Sequence, residues 1–128
     1  MEEQFVPYEL ALKLKELGFD ERCLAGYYND GKSLWFFRFH KNSEREPTVA
    51  KRFATAPLWE QALNWFRGKY KFKVGIGIND KGLYYDYKIV LFNTTDAYYK
   101  DCYNTYEEAR LACLEKLIEL VELKKDSV

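Results

Sequence analysis

A chain of 128 residues is one domain long, and its 20 Lys and Arg balance 20 Asp and Glu, which removes the strongest sequence sign of a nucleic-acid or anionic-membrane partner. Hydrophobic residues at 48%, with only 3 Pro and 7 Gly, describe a folded chain and exclude disordered, collagenous and repetitive classes. Aromatic residues make up 18%, 11 of them Tyr, so a single domain over residues 1–128 has the ring volume for a substantial core.

Residues 7–17 read as a helix, opened by Pro7 and carrying Leu10, Leu14 and Leu17 on one face. Gly18 ends it, and Phe19 is placed to fold back on the last turn. Over 24–40 the pattern becomes a hairpin, LAGYY and SLWFFRFH around Asn29-Asp30-Gly31-Lys32, where Asp-Gly signals a two-residue turn. Opposed residues then place Gly26 opposite Trp35 and Leu24 opposite Phe37. Residues 41–56 show neither period and read as one long connection.

A second helix over 57–67 turns Leu58, Ala62, Leu63 and Phe66 inward, flanked by Trp59 and Trp65, and Gly68 closes it. Residues 69–78 alternate, with Tyr70, Phe72, Val74, Ile76 and Ile78 on one face and Lys69, Lys71, Lys73, Gly75 and Gly77 on the other. After Asn79-Asp80-Lys81-Gly82, the strand LYYDYKIVLF points Leu83, Tyr85, Tyr87, Ile89 and Leu91 inward. A slip by one residue would bury Asp86 and Lys88, so burial fixes the parity; the tight turn sets Gly75 opposite Asp86 and Gly77 opposite Tyr84. Residues 94–104 form a second irregular, tyrosine-rich connection holding a short strand at 97–103. The last helix begins with the capping box Thr105-Tyr106-Glu107-Glu108 and carries the stripe Leu111, Leu114, Leu117, Ile118 and Val121.

The order α-β-β-α-β-β-α is most economically folded as an α+β domain, with one four-stranded antiparallel sheet from two hairpins and three helices packed on one face. At an offset of fifty, Pro7/Pro57, Gly18/Gly68, Asn29/Asn79 and Asp30/Asp80 coincide, which repeats the architecture. Only 6 of the 78 pairs are identical, so the offset gives no proof of repeated ancestry.

The segments VPYELALKLKELGFDE, TAPLWEQALNWFRGKY and YNTYEEARLACLEKLIELV resemble motifs of small proteins of unknown function encoded by phages, prophages and mobile elements of gut bacteria. The resemblance covers the three helices, supports the element order, and implies no catalytic residue, cofactor or substrate.

Cys23, Cys102 and Cys113 are odd in number and lack C-x-x-C spacing, so neither a disulfide framework nor a zinc knuckle is expected, and a reducing cytoplasm is the expected home. The acidic start MEEQFVPYEL has no signal-peptide pattern, no apolar run is long enough to span a membrane, and the last residues match no lipidation box. A single histidine, His40, stands at a strand end away from any Ser or Cys motif. Cys113 sits within the last helix as a packed thiol, and Asp101 beside Cys102 opposes thiolate formation. Gly75-Ile76-Gly77 continues a strand and opens no helix, so it is no phosphate loop; close packing by Tyr84 or a loop is its expected role. An enzyme would need carboxylates from distant segments, such as Asp80, Asp86 and Asp101, and nothing local recommends that set. A non-enzymatic protein is therefore expected.

Charge is unevenly distributed. Residues 38–73 carry 9 basic and 3 acidic side chains, whereas both flanks are net acidic. Arg38, Lys51, Arg52, Lys69, Lys71 and Lys73, interleaved with Trp59 and Trp65, are candidates for tracking and stacking a single-stranded nucleic acid. The simpler reading is that the three lysines solvate a strand and guard it against edge pairing. The leading expectation is protein recognition, because Tyr and Trp exceed what one core needs. A free sheet edge or uncovered sheet face would then bind a second copy, or a host or phage protein.

Overall fold

The computed structural model describes residues 2–28, 34–42 and 52–126; within these, the side chains of residues 2, 28, 35, 37–40, 52, 53, 125 and 126 fall outside the description. The chain divides into two compact units, Met1–Ala62 and Leu63–Val128.

In the first unit, a 3-10 turn at Glu2–Gln4 precedes α1, Tyr8–Glu16. Pro7, at φ −61°, needs no N–H partner at the helix start, and Leu10, Ala11 and Leu14 form the buried stripe. The helix stops as its sequence predicts. Gly18 takes φ 98°, the Phe19 N–H donates to the Leu14 carbonyl at 2.9 Å, and the Phe19 ring folds back to 1% exposure. The preceding segment is tied down by long-range bonds, among them the Val6 N–H to the Pro57 carbonyl at 2.9 Å. Tyr27 Oη donates to the Val6 carbonyl at 2.8 Å, and Trp59 Nε1 donates to the Glu3 carbonyl at 2.9 Å.

β1, Cys23–Tyr28, pairs antiparallel with β2, Leu34–His40, and Gly26 stands opposite Trp35 as expected. An irregularity next to Leu24 shifts the register to Cys23 opposite His40, so the expected Leu24–Phe37 pair is lost. The Asp30-Gly31 turn lies outside the described residues. On the other side of β1 lies β3, Arg52–Ala56, giving the order β2-β1-β3. Its existence corrects the reading of 41–56 as one long connection. Ala54, Thr55 and Ala56 are all at most 1% exposed, so this strand is covered on both faces and has no alternation to read. Asn42 brackets it, accepting from the Thr55 N–H at 2.9 Å while donating to the Phe19 carbonyl at 2.7 Å.

The division at Ala62 falls within α2, Trp59–Lys69. In the second unit, Arg67 donates to the Val74 carbonyl at 2.9 Å, and Phe66, Tyr70 and Phe72 stack in sequence. β4, Lys73–Ile78, β5, Tyr85–Val90, and β6, Ala97–Tyr103, form an antiparallel meander in that order. The strand expected at 97–103 is thus present and is a full member of the sheet. α3, Tyr106–Asp126, packs on all three strands. Thr105 Oγ1 accepts the Glu108 N–H at 3.1 Å, which is one arm of the expected capping box. The buried stripe of α3 runs Ala109, Cys113, Leu114, Leu117, Ile118 and Val121, whereas Leu111, expected within it, is 39% exposed.

The second hairpin keeps the expected parity but slides by two residues, setting Gly75 opposite Lys88 and Gly77 opposite Asp86. The loop is longer than the tight turn supposed. The Asn79 N–H donates to the Tyr84 carbonyl at 2.8 Å, the Asn79 carbonyl accepts from Gly82, and Asn79 Oδ1 accepts the Leu83 N–H at 3.0 Å. Gly82 supplies φ 70° inside that loop. Consequently Tyr87 and Ile89 are buried as expected, but Ile78 and Leu83 ride out into solvent.

The α+β class with three α-helices holds, and the single four-stranded sheet does not: the described residues form two three-stranded antiparallel sheets. Each hairpin completes itself with a third strand of its own, β3 or β6, and neither sheet needs the other's strands. Among the described residues no helix is long and apolar enough to cross a membrane.

Candidate functional site

Parity along β4, β5 and β6 divides the second sheet into two faces. Val74, Ile76, Tyr87, Ile89 and Tyr98 lie on the face that α3 covers. Lys73, Gly75 and Gly77, then Asp86 and Lys88, then Ala97 and Tyr99, lie on the other, and among the described residues nothing packs over that outer face.

Its centre is bare backbone. Among the described residues, apart from each glycine's chain neighbours, no atom lies within 4 Å of where a side chain would begin at Gly75, and at Gly77 only Asp86 Oδ1 does, at 3.9 Å. This corrects the expectation that a ring or loop packs over these glycines: Tyr84 is 45% exposed, and neither glycine has positive φ. Lys88 stands directly opposite both Gly75 and Tyr99, forming a row across all three strands.

One end of the face is basic. Lys71 and Lys73 line an open groove of about 560 Å³ with Phe92, Asn93 and Thr94, and Phe92 is 63% exposed. Two non-glycine residues in the left-handed region, Lys71 at φ 60° and Asn93 at φ 58°, stand on its walls. The Leu91 N–H donates to the Asp96 carbonyl at 3.2 Å and the Asp96 N–H to Thr94 Oγ1 at 3.1 Å, so the turn on the far wall is held by its own bonds.

The other end is acidic. Asp80 and Asp101, with Leu83, Tyr84 and Tyr99, line a groove of about 590 Å³ at the tip of the Asn79 loop. Tyr99 Oη donates to Asp86 Oδ2 at 3.1 Å. Partial desolvation of the phenol, that hydrogen bond, and the negative charges of Asp101, Asp86 and Asp80 push its pKa up to about 12. Asp80, Asp86 and Asp101, which no local pattern recommends as a set, thus all act on one tyrosine, Asp86 through a hydrogen bond and the other two through their charge. Among the described residues no group of three or more His, Cys, Asp or Glu is arranged to hold a metal ion.

The residues expected to form a nucleic-acid track are placed unevenly. Lys71 and Lys73 share the basic groove, while Lys69 Nζ lies 5.1 Å from the Trp65 ring centre and 5.8 Å from that of Tyr70. Trp59 and Trp65 are each 8% exposed and packed, so as folded neither offers a base-stacking face. Arg38 and Arg52 occupy strand positions in β2 and β3 of the first unit with side chains outside the description, and Lys51 lies outside the described residues. His40 ends β2, with its side chain likewise outside the description. Cys113 is buried, and burial pushes its thiol up to about 12 despite the lowering effect of Arg67; Cys102 is exposed.

Lys88 and Tyr99 were not singled out from the sequence, although the parity that keeps Asp86 and Lys88 out of the core already assigns Lys88 to this face. Searches against protein-family models, curated proteins and solved structures returned no significant match.

Proposed function

We propose that the protein is a non-enzymatic recognition module that binds another protein through the outer face of its second sheet. One observation carries this reading: a β-sheet face left uncovered, with bare glycine backbone at its centre and exposed Tyr99, Leu83, Tyr84 and Phe92 around it. Exposed rings beside flat backbone bury area on contact at low side-chain entropy cost, as interface anchors do. A cytoplasmic setting and a host or phage partner follow from the cysteine usage and from the resemblance of the helices to phage and mobile-element proteins. The test is photo-crosslinking in cells with p-benzoylphenylalanine installed at Tyr99, with the same probe at Leu123 on α3 as control. A discrete protein adduct specific to Tyr99 is expected; no adduct, or equal adducts from both positions, would refute the reading.

The groove lined by Lys71, Lys73 and Phe92 favours a second reading, single-stranded nucleic acid held by phosphate contacts and one stacked base. Affinity for a short oligonucleotide would then fall with salt by a slope of roughly −0.7 per phosphate contacted, and Lys71→Glu with Lys73→Glu would abolish binding. Absence of a mobility shift at low salt eliminates it.

A further inference from the structure

We infer that the partner of this face is a second copy of the same chain, docked face to face about a two-fold axis that lies between the sheets, perpendicular to the strands. The inference rests on the recognition reading above and names its partner.

The face is self-complementary in charge. On β4 and the segment before it the basic side chains are Lys71 and Lys73; at the opposite end stand Asp80 and Asp101. Four residues separate the Lys73 row from the Gly77 row, about 13 Å of strand, which exceeds the screening length of roughly 8 Å at physiological salt. The poles therefore do not neutralise one another within one copy. Lys81, which lines the acidic groove beside Asp80 and Asp101, and Asp96 in the basic turn offset part of each pole, and each end keeps an excess of its own sign.

Two-fold axes lying between two identical sheets have two limiting directions, along the strands and across them. An axis along the strands sets lysines on lysines and aspartates on aspartates, which repels. An axis across the strands reverses them, and if it passes between the Gly75 and Gly77 rows, Lys88 meets the other copy's Asp86 and Lys73 meets its Asn79-Asp80 corner. The glycine strips then face each other, with no side chain at their centre to hold the backbones apart. Such a contact is isologous and closes at two copies.

The sheet alone offers a footprint of about 20 by 14 Å, well under the roughly 800 Å² per partner of a standard stable interface. The pairing is accordingly weak and transient.

Sedimentation equilibrium of the full chain measures it. The wild type is expected to pass from monomer to dimer with concentration, and the dimer to weaken at least tenfold between low and high salt. Lys73→Glu with Lys88→Glu leaves acidic charge in excess at both ends of the face, and Asp80→Lys with Asp101→Lys leaves basic charge in excess at both, so each variant alone should stay monomeric. Mixed together, the two variants place opposite charges at both ends and should form a heterodimer. A wild type that is monomeric at every concentration, a dimer indifferent to salt, or a mixture that fails to associate while both variants keep the native circular dichroism spectrum each overturn the inference. A monomeric chain that still gives a Tyr99-specific adduct with a different protein overturns self-pairing and leaves the recognition reading standing; loss of every adduct removes both.

Discussion

The two sheets have the same number of strands and are used in opposite ways. In the first, the central strand β1 carries Ala25 and Gly26 and its neighbour β3 carries Ala54, Thr55 and Ala56, all buried, so small side chains serve both faces. In the second, one face carries Tyr87 and Ile89 under α3, and the other carries glycine, lysine and aspartate in solvent. Small residues thus mean two different things here. Where they are buried they let neighbouring layers approach; where they are exposed they leave a surface flat.

Three measurements sharpen that contrast, taken from the largest effect down. Leu117, fully buried in α3, anchors the covered face of the second sheet, and Leu117→Ala should cost about 2–5 kcal/mol in urea unfolding. Enlargement then separates the sheets. Ala56→Leu in the first should cost about 1–3 kcal/mol by overpacking, whereas Gly75→Ala in the second should be neutral or gain about 0.5–1 kcal/mol, because a methyl group there meets nothing. Equal penalties at the two positions would erase the distinction drawn here.

The third measurement is alkaline stability. Cys113 is neutral in the fold up to about 12 against an ordinary thiol value of 9.0, so between those values the unfolded chain has released a proton that the folded chain retains. That contribution to stability is complete below pH 9 and lost as pH climbs toward 12. Cys113→Ala should flatten that part of the pH profile; an unchanged slope would assign the alkaline loss to tyrosines.

The features legible in the sequence were those governed by local rules or strict parity. Gly18 and Phe19 announced the helix stop and Thr105 the helix start, and the alternation assigned the parity of β4 from Lys73 to Ile78. Gly68 did not close α2, which runs on to Lys69, so Lys69 is not on the strand, and Ile78, expected inward, is exposed. β3 was invisible because a strand buried on both sides with alanine and threonine has no period, and its pairing with β1 spans some thirty residues. The hairpin register slid because the Asn79 side chain takes over turn hydrogen bonds that a tighter loop would have made between backbone groups. For the candidate site, the lysines were legible as outward-facing, but Tyr99 required knowledge that β6 pairs with β5, a contact no local pattern encodes. The tryptophans were misleading for a simple reason: ring content is as useful to a core as to a ligand, and Trp59 and Trp65 went to the core.

The bond from Arg67 to the Val74 carbonyl has a meaning for assembly. β4 is an outermost strand, and a ladder left open at such a border can recruit strand after strand without limit. A guanidinium seated on one of its carbonyls takes up an acceptor that an added strand would need, and so works against such growth.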